Sequence, residues 1–140
     1  MKAKLHCIDT FNGTANQQDH RDIFAAHGDD REWLFRTFQD NLKRYELDEQ
    51  VIIHRMSSTE AVKSWNAPIA FLYIDGDHEY EAVLQDFENW SKFLLPGALI
   101  SFDDVPGWPG PTRVAGIVIS KQEFQKYGVA PNVLTFKKIS

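Results

Sequence analysis

The stretch Ile69-Ala70-Phe71-Leu72-Tyr73-Ile74 is apolar at six consecutive positions. As a strand its side chains alternate between two faces, so it has no polar face to offer water. Such a strand belongs inside a parallel sheet, covered by helices above and below. It ends in Asp75-Gly76-Asp77-His78. Behind that turn Tyr80, Val83, Leu84, Phe87, Trp90 and Leu94 recur at helical spacing, the clearest amphipathic helix in the chain. Pro96-Gly97 stops it, and Ala98 to Phe102 reads as the next buried strand, closed by Asp103-Asp104.

The rest of the chain repeats this alternation. Leu5 to Ile8 is a short apolar run closed by Asp9 and a Thr-Phe-Asn-Gly turn. Residues 12 to 30 are polar, anchored only by Ile23 and Phe24, and read as a long loop or an ill-formed helix. Trp33, Leu34, Thr37, Phe38, Asn41 and Leu42 predict a helix over about 31 to 45, with Asp29 and Asp30 as caps. Val51 to Met56 is a strand, and Ser57-Ser58-Thr59-Glu60 has the capping-box spacing for a short helix ending near Trp65. A Pro/Gly-rich loop from Val105 to Pro111 carries Trp108, followed by a helix over 113 to 127 and a last strand over Val133 to Ile139. No internal repeat or linker divides the chain, so one domain over 1 to 140 is expected. Its class is α/β, three-layered, with a mostly parallel sheet.

Composition narrows the partners. Fifteen Lys and Arg against 20 Asp and Glu give a net charge of -5, and no basic run offers the footprint that nucleic acid or an anionic bilayer selects. No apolar stretch approaches the roughly 20 residues that cross a bilayer, and the N-terminus leads into no signal-peptide core. A cytoplasmic protein acting on a small molecule is expected. The one cysteine, Cys7, lies between apolar neighbours and reads as a buried strand position rather than a nucleophile.

Chemistry gathers where the strands end. In an open α/β sheet, ligands bind in the crevice outside the carboxyl ends of the strands. Asp9, Asp75 and the pair Asp103-Asp104 each follow a buried strand directly, so carboxylates from three strands can converge on one rim. Individually, Asp at a strand end is also what turns and helix caps require. Together, like charges raise one another's pKa and favour a cation among them. Hard oxygen donors suit Mg²⁺, Mn²⁺ or Ca²⁺ better than zinc. His78, three residues past Asp75, has the residue type of a general base, with an ordinary pKa of about 6.5; a local hydrogen bond at a helix start is the plainer alternative. Trp108 reads either as a lid over the rim or as a loop aromatic packed on a helix.

These residues resemble a known family. Ile74-Asp75-Gly76-Asp77-His78-Glu79-Tyr80-Glu81, then Asp86, Trp90, Leu95-Pro96-Gly97-Ala98 and Asp103-Asp104, are similar to the central block of the class I S-adenosylmethionine-dependent methyltransferases. The likeness is greatest to the group that includes macrocin-type sugar O-methyltransferases. It extends back through Asn41-Leu42 and Val51 to Ser58 to Cys7-Ile8-Asp9-Thr10-Phe11-Asn12-Gly13, covering most of positions 5 to 105.

The resemblance implies a Rossmann-like sheet and O-methyl transfer to a small hydroxylated acceptor, with S-adenosylmethionine and Mg²⁺ or another divalent cation as cofactors. It implies that Asp9 holds the cofactor ribose, that Ser57 or Ser58 flanks the adenine, and that Asp75 belongs to the cofactor site as well. Asp75, Asp103 and Asp104 would be the metal ligands and His78 the base. It also implies a departure: no Gly-x-Gly occurs anywhere, and the family's first strand and helix are expected to be absent. That strand would lie between Leu5–Ile8 and Ile69–Ile74, leaving backbone groups unpaired at about 1–3 kcal/mol each. An upstream segment, direct pairing of the two strands, or another chain would resolve this. The alternative function is a non-catalytic methyltransferase remnant that binds a metal or partner and closes its sheet by self-association. A phosphoacceptor receiver domain expects its acidic pair after the first strand and a lysine after a late one, and fits poorly.

Overall fold

The computed structural model describes residues 3–13 and 18–140; residues 14–17, inside the expected polar loop, and the extreme N-terminus lie outside the described residues. The chain divides into two compact units, Met1–Lys63 and Ser64–Ser140.

In the first unit, β1 (Leu5–Asp9) and β2 (Val51–Arg55) pair in parallel, with Leu5 opposite Val51 and Asp9 opposite Arg55. The polar stretch after β1 contains a helix, α1 (Gln18–Ala26), because Phe24 gives it a buried anchor. The helix α2 (Trp33–Arg44) forms close to the expected bounds. Asp30 supports its start by accepting from the Glu32 amide at 3.0 Å. Phe11 is buried at the turn after β1, with its ring 5.0 Å from Phe35 and 5.2 Å from Phe38. A short helix, α3 (Ser58–Ala61), follows β2 behind the expected capping box and runs into a single 3₁₀ turn.

The second unit holds β3 (Ile69–Ile74), α4 (Tyr80–Trp90), β4 (Leu94–Phe102), α5 (Pro109–Ser120), β5 (Phe124–Ala130) and β6 (Val133–Lys138). Its sheet runs β3-β4-β6-β5. Ile100, Phe102 and Phe136 from the sheet are fully buried, as are Val114 and Val118 from α5. Val83, Phe87 and Trp90 of α4 are buried as well, as the 3.6-residue spacing demands.

The sheet corrects the sequence reading in three places. It is not mostly parallel: β3–β4 is parallel, whereas β4–β6 and β5–β6 are antiparallel. The cause is a hairpin: the strand expected at the C-terminus forms as β6, but the end of the helix expected over 113 to 127 is instead the start of its partner, β5. The helix ends at Ser120, and β5 turns into β6 through Pro131-Asn132, with Asn132 at φ 60. Proline then a left-handed asparagine is what a type II turn requires. Second, β4 begins before Pro96-Gly97 rather than after it. While β3 advances from Ile69 to Phe71, its partner advances from Leu94 to Leu99, and Gly97 at φ 84 takes up the extra residues. Third, β3 is an edge strand, hydrogen-bonded only to β4 among the described residues, and Phe71 and Tyr73 are exposed.

Candidate active site

Two strand ends and one register build the acidic cluster. Because Ile74 pairs with Phe102 in a parallel ladder, the next residues, Asp75 and Asp103, emerge side by side. The Asp103 amide donates to the Ile74 carbonyl at 3.0 Å and holds that register one residue past β4. The chain then reverses at Asp104, which sits at φ 58, the left-handed region that Asp tolerates better than most residues. One carboxylate oxygen from each of Asp75, Asp103 and Asp104 falls within 4.8 Å of the others.

The electrostatics follow from the crowding. Partial burial, then the charges of Asp103 and Asp104, push the Asp75 carboxyl above its ordinary pKa, although its side chain still reaches solvent. Tyr73, two residues before Asp75 and so on the same side of β3, donates its hydroxyl to Asp103. Burial, that hydrogen bond and the neighbouring carboxylates push the phenol up to about 12, so it stays a donor. Sequence reasoning missed Tyr73, and the period-two relation to Asp75 was the signal that could have found it.

His78 joins the cluster through its ring: Nε2 lies 2.7 Å from Oδ2 of Asp104, and both side chains are mostly buried. Trp108 stacks on the imidazole, ring centroids 4.4 Å apart at an interplanar angle of 28°. Asp77 begins α4 differently, accepting from the Glu79 amide at 3.1 Å.

Asp9, Ser57 and Ser58 lie in the other unit, at the carboxyl edge of its two parallel strands. Asp9 closes the turn after β1 by accepting from the Phe11 amide at 2.6 Å. Ser57 caps α3: its hydroxyl accepts from the Glu60 amide at 3.3 Å, and Glu60 accepts from the Ser57 amide at 3.1 Å. Cys7 is half-buried, and burial raises its thiol pKa, which disfavours the nucleophilic thiolate.

Residues 1–105 match the family model described as Methyltransferase domain. The chain belongs to that methyltransferase family. Among curated proteins, the methyltransferase chain is 34% identical over 64 residues to the uncharacterized protein R132 of Acanthamoeba polyphaga mimivirus, covering 46% of this chain and 26% of that one. Among solved structures, the O-methyltransferase NovP superposes with a TM-score of 0.70 at 17% identity, over 98% of this chain and 60% of NovP. TomG, an O-methyltransferase of Streptomyces achromogenes involved in tomaymycin synthesis and solved with SAM, gives 0.64 at 14% identity, over 98% of this chain and 73% of its own. A Bacillus cereus O-methyltransferase solved with SAH gives 0.61 at 15% identity, over 98% and 74%. The methyltransferase chain thus spans about a quarter of the curated relative and 60% of NovP, and its α/β architecture is the Rossmann-like methyltransferase fold. Among the described residues, no helix is long and apolar enough to cross a membrane.

Proposed function

We propose that this domain carries the acceptor side of an S-adenosylmethionine-dependent O-methyltransferase, with His78 as general base beside a divalent-cation site of Asp75, Asp103 and Asp104. The observation that carries the reading is the convergence of three carboxylate oxygens within 4.8 Å beside the His78–Asp104 pair, in a chain of the methyltransferase family. The donor set fits a hard cation: all ligands are oxygens, and partial burial, then the charges of Asp103 and Asp104, raise the Asp75 pKa, a cost that positive charge among the carboxylates relieves. A cation bound there would lower the pKa of a coordinated acceptor hydroxyl.

The chain's own residues do the rest. Asp104 accepts from His78 Nε2 and so orients the imidazole. His78 would take the acceptor's proton as general base, and S-adenosylmethionine, when bound, would supply the methyl group and leave as the thioether. Tyr73 fixes the Asp103 carboxylate by donating to it. On the cofactor side, Asp9 would bind the ribose hydroxyls and Ser57 or Ser58 would flank the adenine, with Asp75 also facing the cofactor. The acceptor is a small molecule with a hydroxyl, a sugar in the macrocin-type reading. The SAM and SAH complexes of similarly folded O-methyltransferases support the choice of cofactor.

Calorimetric titration with S-adenosylmethionine, with and without Mg²⁺, tests this reading. Saturable cofactor binding together with Mg²⁺ binding that Asp75→Ala and Asp103→Ala each abolish is the expected result. Unchanged Mg²⁺ affinity in both variants rejects the metal site. His78→Ala should slow methyl transfer about 10²–10⁴-fold while cofactor affinity stays the same, and equal rates remove it as the base.

A further inference from the structure

One segment, residues 104–110, meets His78 from three directions. Asp104 binds the ring edge at Nε2 with 2.7 Å between heavy atoms. Trp108 covers a ring face at 4.4 Å. Gly110, in the first turn of α5, approaches the His78 main chain so closely that a Cβ there would lie 2.0 Å from the His78 carbonyl oxygen and 2.9 Å from the Tyr80 amide nitrogen. The segment is itself tied: the Trp108 amide donates to the Asp104 carbonyl at 2.8 Å, and the Thr112 hydroxyl donates to the Trp108 carbonyl at 2.7 Å. Carboxylate and indole therefore reach the imidazole from opposite ends of one hydrogen-bonded turn. The guanidinium of Arg113 stacks 3.8 Å from the centroid of Tyr80, a second tie between α5 and the start of α4.

We propose that Trp108 and Gly110 are positioning residues that, with Asp104, clasp the His78 imidazole in one orientation and one tautomer. An ionised carboxylate only accepts, so the neutral imidazole must carry its proton on Nε2 to make the Asp104 bond. Stacking of the indole then keeps the ring from turning about its side-chain bonds. Gly110 sets the distance, because any side chain there forces α5 away from His78 and carries Trp108 with it. Trp108 is still 45% exposed, so it is not a core residue whose loss would collapse the unit. The catalytic meaning of the clasp rests on the reading of His78 as the base; the clasp itself does not.

The test reads the imidazole directly. The full chain, labelled with ¹⁵N-histidine and held in EDTA at a pH where imidazoles are neutral, gives long-range ¹H–¹⁵N spectra in which His78 is assigned by its loss in His78→Gln. In the native chain His78 is expected as a single Nε2-protonated tautomer with ring protons shifted upfield by the indole. Trp108→Leu is expected to abolish the upfield shift and mix the tautomers, and Trp108→Phe to keep a single tautomer, while the other histidine signals stay in place. Gly110→Ala is expected to reproduce the Trp108→Leu spectrum; if that variant does not fold, the two Trp108 variants decide. A native His78 that averages its tautomers, or one whose signals are unchanged in Trp108→Leu, overturns the proposal. Because no cofactor, metal or acceptor is present, failure of methyl transfer leaves this result untouched.

Discussion

Asp75 is placed under opposing demands, and the stability of the metal-free chain should register them. Its pKa is raised, so the folded chain binds that proton more tightly than the unfolded chain. The stability this provides is fully present below the unfolded pKa and is lost as pH rises through the folded value. At neutral pH the ionised side chain is therefore a net cost of folding without a cation. Asp75→Asn should melt, in EDTA at neutral pH, at or above the native temperature, although it loses Mg²⁺ binding. The advantage over the native chain should shrink as pH falls to about 4. Thermal scans over that range check it, and a variant markedly less stable than the native chain at neutral pH would mean that Asp75 holds the fold rather than a ligand. Residue types alone could propose the acidic set and His78, because each lies at or just past the end of an apolar run. They could not supply the hydrogen bond of Tyr73 to Asp103 or the stacking of Trp108 on His78, since both depend on how strand register and a reversed turn at Asp104 aim the side chains.

At the level of elements, legibility tracked how much of the pattern was local. The helix α4 was readable because a period of 3.6 identifies it over a short window, and the strand β3 because an unbroken apolar run of strand length ends in turn residues. The capping box at Ser57 was readable because both of its hydrogen bonds lie within four residues. Here the structure sharpens the expectation: Ser57→Ala should cost about 1 kcal/mol in chemical denaturation, and Ser57→Asn should recover most of it, since Asn caps as well as Ser. If Ser57 also flanks the adenine, cofactor affinity falls in both variants, which separates the two roles. The strand β6 was readable within a residue of its end, but its hairpin partner β5 was not, because Phe124 to Ala130 carries no clean alternation and follows β-branched residues that strands and α5 both accept. Its edge position explains the weak signal, as Tyr127 and Val129 are exposed where a two-sided strand would bury them. What pins the hairpin is distant in sequence: Phe136 is fully buried opposite Ile100, and Ser101 and Thr135 hydrogen-bond across the ladder at 2.8 Å. Phe136→Ala should therefore cost about 3–5 kcal/mol in the same measurement, and a loss under 1 kcal/mol would show that β6 contributes little to this core.

Across the whole molecule, the two units divide the proposed chemistry. All the groups assigned to the cation and the base, Asp75, His78, Asp103 and Asp104, lie in Ser64–Ser140, whereas Asp9, Ser57 and Ser58 lie in Met1–Lys63. A bound cation would answer to carboxylates of one unit, and the adenosine part of the cofactor to side chains of the other. Separate sheets make the ligands of each unit depend on separate ladders, β3–β4 for the first set and β1–β2 for the second. Substitutions at Asp9 or at Asp103 should then leave the other ligand's affinity nearly unchanged, whereas substitution of Asp75, assigned to both ligands, should weaken both. Asp9→Ala should weaken S-adenosylmethionine binding by roughly 10-fold or more, the loss of a charge-assisted hydrogen bond, with Mg²⁺ affinity within about twofold of native. Asp103→Ala should do the reverse, abolishing Mg²⁺ binding and sparing the cofactor. Calorimetry on the full chain with each ligand alone measures both. Loss of both affinities in both variants would show that the two ligands bind interdependently, and loss of neither would remove Asp9 and Asp103 from binding altogether.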